Sequence, residues 1–188
     1  MTTTRRPRAD ARRNYERLLA EADAAFREQG VESSLEGVAR RAGVAIGTLY
    51  GHFPSRRALI GALLRDRNAA LFELGERLLT GPAPDALAAW VRAATAHAAT
   101  YRGLAALIAG GLDDEASELH ASCVRMAEIG ELLVARGRES GALRADASGA
   151  DVTALTSAAA WLHEQVSPAA ADRHITVTLD GLAATASP

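Results

Sequence analysis

Thr48, Tyr50 and His52 alternate with Leu49 and Gly51 in the stretch VAIGTLYGHF, residues 44–53. Two hydroxyls and an imidazole at this spacing suit phosphate oxygens, and Thr or Tyr also fits against a thymine methyl group. Two glycines, Gly47 and Gly51, sit in the same short run. A glycine costs a helix interior about 1 kcal/mol relative to alanine, so two of them ask for a reason. One reason is a backbone that must come close to another molecule. Arginines surround the run: Arg40 and Arg41 before it, Arg56 and Arg57 after it, and Arg5, Arg6 and Arg8 at the N-terminus. Guanidinium groups in this number favour a polyanion, and the N-terminal three are expected to form a flexible arm able to reach a minor groove.

Other chemistry is poorly served. The five histidines are residues 52, 97, 120, 163 and 174, and the single cysteine is Cys123. No HExxH or CxxC spacing occurs, and no Gly-rich loop follows a strand pattern. His120 and Cys123 are three apart, and His163 stands beside Glu164, but neither pair has a third partner at catalytic or metal-ligand spacing. The chain is therefore not expected to be an enzyme, nor to hold a cofactor or a metal.

The elements that position the basic stretch read as helix. Tyr15, Leu18, Leu19, Ala22 and Phe26 recur at three- and four-residue steps, and Gly30 ends that helix. Ser33 and Glu36 have capping-box spacing, which starts a short helix near Leu35. Gly43 supplies a tight turn, and residues 46–53 make a second short helix. At about 100° per residue, Leu49 and Phe53 share the inward face of that second helix, with Ile46 at its edge. Gly47 and Gly51 then point most directly outward, with Thr48 and His52 on one flank and Tyr50 on the other. Ala45 and Ile46, at the start of this helix, complete the expected contact set. Ala39, Gly43 and Leu49 fall where a helix-turn-helix needs a small residue, a turn and an inward apolar residue.

The segment SLEGVARRAGVAIGTLYGHFPSRRALIGALL resembles the N-terminal domain of the TetR family of bacterial transcriptional regulators. With the preceding helix, the resemblance covers about residues 10–64, and GTLYGHF followed by PSRRAL is its most specific part. It implies an all-α fold with a three-helix DNA-binding head and a helical body that binds a ligand and dimerises. It also implies a two-fold dimer on a palindromic double-stranded operator, with Thr48, Tyr50 and His52 among the contacts. The family often carries a larger residue where this chain has Gly51.

The rest of the chain is expected to supply that body. Division falls at 1–54 and 55–188, with 55–79 as a connecting helix. Residues 1–60 hold 11 Arg against 7 acidic residues, and residues 61–188 hold 10 against 16. A basic head on an acidic body is the asymmetry expected of a DNA-binding regulator. TGPAPD, residues 80–85, reads as a linker. Trp90, Ala94, His97, Ala98 and Tyr101 are expected on one helical face. Asp113, Asp114 and Glu115 suit the N-terminus of a following helix. Trp90, His97, Tyr101, Cys123, Met126 and Trp161 are the candidate cavity residues, with His97 the best polar one for a hydrophobic effector. Two last helices, about 150–166 and 168–185, carry the small-residue run ALTSAAAWL and are the expected dimer interface. Trp161 lies there as well, so it reads either as cavity wall or as interface anchor. The β-branched run HITVTL could form a strand but lacks a partner strand, so helix is expected. One cysteine, no long apolar run and a charged N-terminus suit a cytoplasmic protein with no membrane contact. An alternative is a DNA-binding dimer that has no small-molecule ligand and answers to a protein partner.

Overall fold

The computed structural model describes residues 6–81, 85–109 and 118–184. Within them lie nine helices: α1 (Arg6–Gln29), α2 (Leu35–Arg41), α3 (Ile46–His52), α4 (Arg56–Thr80), α5 (Ala86–Ala98), α6 (Leu104–Ala109), α7 (Glu118–Glu139), α8 (Gly149–Gln165) and α9 (Pro168–Leu182). The run HITVTL lies inside α9, and no strand occurs among the described residues. No helix there is long and apolar enough to cross a membrane. Asp113, Asp114 and Glu115 lie outside the described residues.

Caps set most of the boundaries. α1 stops where Gly30 takes a φ of 87°, and the chain there passes so close to residue 102 that an added Cβ would lie 2.7 Å from the Arg102 carbonyl oxygen. α2 begins at Leu35, which makes Ser34 rather than Ser33 the capping residue; its hydroxyl accepts from the Gly37 N–H at 3.1 Å. The expected Ser33–Glu36 capping box is thus out of register by one residue. The Ser33 side chain is instead buried, and its hydroxyl has no partner among the described residues. Ser55 caps α4, and Ser148 with Asp151 forms a complete capping box on α8. Ser167 caps α9, whose first residue, Pro168, needs no N–H bond there.

Two apolar cores result. The first packs Leu18, Ala22 and Phe26 of α1 on Leu35, Val38 and Ala39 of α2 and on Leu49 and Phe53 of and after α3. It also takes Leu59, Ile60 and Leu64 from α4, and Tyr101, Leu104 and Leu119 from the body. A division at residue 54 therefore cuts through a core. The second gathers Leu71 of α4, Trp90 and Val91 of α5, Ile129, Leu133 and Val134 of α7, Val152, Leu155 and Ala159 of α8, and Ala171 and Ile175 of α9. α4, 25 residues and therefore about 37 Å long, contributes to both. Its far end is held by Arg136, which donates to the carbonyls of Leu78 and Leu79 at 2.8 Å each and of Gly81 at 2.5 Å.

Candidate nucleic-acid interface and interior cavity

α3 is anchored from one side only. Leu49 is fully buried and Phe53 nearly so, each contributing about 2 kcal/mol of apolar burial. Gly43, with a φ of 67°, turns the chain between α2 and α3, and the Val44 N–H reaches back to the Ala39 carbonyl at 3.0 Å. On the opposite side Ala45, Gly47, Tyr50 and Gly51 are exposed, Tyr50 at 46%. A Cβ built on Gly47 or Gly51 meets nothing within 4 Å, so α3 presents bare backbone to solvent. Ile46, Thr48 and His52 are half-buried at the edges of this face. The His52 ring stands edge-on to Tyr15 with centroids 6.0 Å apart, so α1 orients it.

The arginines divide into groups that sequence alone did not separate. Arg41 of α2 is committed to α1, at 2.9 Å from Glu21 and 3.0 Å from Glu28. Arg56 donates to the carbonyls of Val31 and Ser33 at 2.5 and 2.6 Å, tying α4 to the turn after α1. Both were expected as DNA contacts; both are engaged inside the head. Arg40 is exposed and makes no ion pair among the described residues. It lines a shallow groove between α2 and α3 together with Glu36, Val44 and Ile46. Arg6 and Arg8 belong to the first turn of α1 and so do not form an arm preceding it; Arg5 lies outside the described residues.

The body holds a cavity of about 110 Å³ enclosed by α5, α6, α7 and α8. Trp90, His97, Cys123 and Met126 line it. Alanines and glycine at 94, 98, 105, 127 and 130 make the space, and Ile108, Val152, Thr153, Thr156 and Ser157 complete the wall. These were missed because their signal is small size, which is abundant throughout the chain. Thr153, Ser157 and Ala127 are exposed, so the cavity opens beside α8. His97 is 6% exposed, and burial, with a smaller effect from the Arg67 guanidinium, holds its pKa down to about 4. Burial pushes the Cys123 thiol up to about 11, which keeps it unreactive at pH 7.

Two expected cavity residues lie elsewhere. α5 ends at Ala98, so Tyr101 leaves the face that carries Trp90 and His97. Its ring packs edge-on to Phe26 at 5.8 Å, and its hydroxyl donates to Asp23 of α1 at 2.6 Å. Burial, then this bond, pushes its hydroxyl well above the usual tyrosine range. Trp161 is 56% exposed and does not line the cavity. Val166, just after α8, and Val177 of α9 are likewise exposed apolar side chains.

Residues 99–103 connect the cavity to the head. The Arg102 carbonyl accepts from the Val31 N–H at 2.9 Å, and the Arg102 guanidinium donates to the Gln29 carbonyl at 2.8 Å. On the other side the Gly103 N–H donates to Glu164 of α8 at 2.9 Å. This loop runs directly from cavity-lining α5 to cavity-lining α6.

Comparison with known proteins gives a consistent assignment. The family model described as "Bacterial regulatory proteins, tetR family" matches residues 18–63. A second, "Transcriptional regulator SbtR-like, C-terminal domain", matches residues 82–184. A TetR transcriptional regulator from Streptomyces coelicolor is 32% identical, with 92% of this chain and 99% of that one covered and a TM-score of 0.60. A TetR regulatory protein from Mycobacterium vanbaalenii is also 32% identical, covering 94% and 98%, with a TM-score of 0.53. The regulator FadR from Bacillus subtilis, solved in complex with stearoyl-CoA, shares the fold at 16% identity, 89% and 99% coverage and a TM-score of 0.60. No curated protein matches the chain.

Proposed function

The chain belongs to the TetR family of bacterial transcriptional regulators, and from that premise we propose that it is a homodimeric repressor released from a palindromic operator by a small molecule bound in its body. The observation that carries this reading is the one-sided burial of α3. Leu49 and Phe53 lock the helix into the head while Gly47, Tyr50 and Gly51 face outward with nothing over them. In a major groove the two glycines let the backbone sit close to the duplex. Thr48, Tyr50 and His52 hold phosphates on either side, and Arg40 and Ile46 are nearest the base edges.

α8 and α9 form the dimer contact, with Trp161, Val166 and Val177 as its apolar centre. Ligand between α5 and α6 displaces residues 99–103, and the main-chain bond from Val31 to Arg102 carries that displacement to the end of α1. The two heads then no longer fit adjacent turns of the operator together. A fold neighbour solved in complex with stearoyl-CoA supports the reading that a ligand acts on this chain. Gel-shift titration with DNA from upstream of the chain's own gene tests the reading. Salt-sensitive binding tighter than to random DNA is expected; equal binding to both sinks it.

A further inference from the structure

His97 is a buried imidazole that makes no hydrogen bond to any described residue, although it is 94% out of solvent and faces the cavity. Buried polar groups are nearly always partnered, and a neutral imidazole carries one donor and one acceptor. The ring lines the cavity, so a group bound there is placed to partner it. No described wall residue is charged: apart from His97 the polar groups are three hydroxyls, a thiol and the Trp90 indole N–H. A carboxylate or an ammonium placed there would lose its water without gaining a counter-charge from the described wall residues. Arg67, exposed and outside the cavity wall, adds positive potential near His97 that disfavours a cationic ligand further, but solvent screening leaves it little to offset an anion's lost hydration. The ring itself is neutral at pH 7, so it offers an anion no charge.

Size gives the second constraint. The cavity is about 110 Å³. An apolar cavity of about 150 Å³ in another protein admits benzene. With the opening beside Thr153 and Ser157, the interior part of this one matches a ligand of about one ring.

We propose that the effector is an uncharged molecule of single-ring size whose one hydroxyl or carbonyl group hydrogen-bonds to His97, with Trp90 and Met126 against its apolar part. This rests on the reading of the body as an effector site, but it is tested on the protein without DNA. Phenol, toluene, benzoate and benzylammonium are titrated against Trp90 fluorescence in a Trp161→Phe background, which leaves Trp90 the only indole. Phenol should bind with a Kd on the order of 100 µM, as a ligand of so few atoms allows, and about fivefold more tightly than toluene for one added hydrogen bond. Benzoate and benzylammonium should bind at least tenfold more weakly than phenol. His97→Leu should bring phenol and toluene within about twofold of each other, and His97→Gln should restore part of the difference.

Tighter binding of either charged compound, equal binding of phenol and toluene by the unsubstituted His97 protein, or no response to any of the four at 10-fold the expected Kd would overturn the proposal. A gel shift with the unsubstituted protein and the same four compounds separates the two readings. Phenol binding without operator release defeats the repressor reading alone, whereas operator binding with no ring bound defeats this one alone.

Discussion

In the head, α3 is finished on the inside and bare on the outside. Leu49 has no exposed surface, and the outward face has backbone where side chains would be. In the body the arrangement is reversed. Trp161 of α8, Val166 just after it and Val177 of α9 are exposed, while the interior between α5 and α8 is left incomplete around His97. The contrast shows two ways a helical protein leaves room for a partner. One withholds side chains from a surface so that a large rigid molecule can approach. The other withholds them from a core so that a small one can enter. The first costs helix propensity and the second costs packing.

The largest effect should come from spoiling the finished side of α3. Leu49→Ala should destabilise the head by about 3–5 kcal/mol, read as a lower urea midpoint, and should abolish operator binding with it. A smaller reduction of core packing there would weaken the contrast. Next is the unfinished core. His97 is held neutral, its pKa lowered from 6.5 to about 4. The unfolded chain binds the extra proton between those values, so stability is complete above about pH 6.5 and falls as pH drops toward 4. His97→Leu should flatten that slope, a change of as much as about 3 kcal/mol across the window, measured by denaturation at several pH values.

Trp161→Ala tests whether the apolar exterior of the body is an interface. A loss of about 2 kcal/mol in dimer affinity, roughly 30-fold, is expected by sedimentation, with the monomer still folded. Within the head, Arg40→Ala should lower the salt dependence of operator binding by about one unit of slope while leaving stability unchanged. Arg41→Ala should instead lower stability slightly, read as a lower urea midpoint, because its partners Glu21 and Glu28 are on α1. The smallest effect carries opposite signs in two assays. Gly47→Ala should stabilise the fold by about 0.5–1 kcal/mol, since nothing obstructs the added methyl, yet weaken binding to DNA.

Sequence carried the head further than the body for a physical reason. Ala39, Gly43 and Leu49 lie within eleven residues, so their mutual placement depends on local geometry that periodicity can follow. The arginines show where that fails. Arg41 and Arg56 read like Arg40, but their partners are 13 to 25 residues away and appear only when α1 folds against α2 and α4. Tyr101 continued the face of Trp90 and His97 only for as long as α5 lasted, and α5 ends three residues earlier. Ser33 and Ser34 are equally good caps by type, and one residue of register decided between them. The cavity was half legible. Its large residues stand out by rarity, whereas its space is made by alanines indistinguishable from those that merely let helices touch.

The joint at Val31 and Arg102 is a bond between two peptide groups, with Gly30 beside it because no side chain fits. Such a joint is indifferent to the identity of the residues that surround it. The cavity wall can be re-lined, by selection or by an engineer, to admit a differently shaped molecule without rebuilding the connection proposed to report its arrival. On the proposed reading, what is sensed and how the signal passes on are separable inheritances, and such a chain is suited to acquiring new effectors while keeping one mode of response.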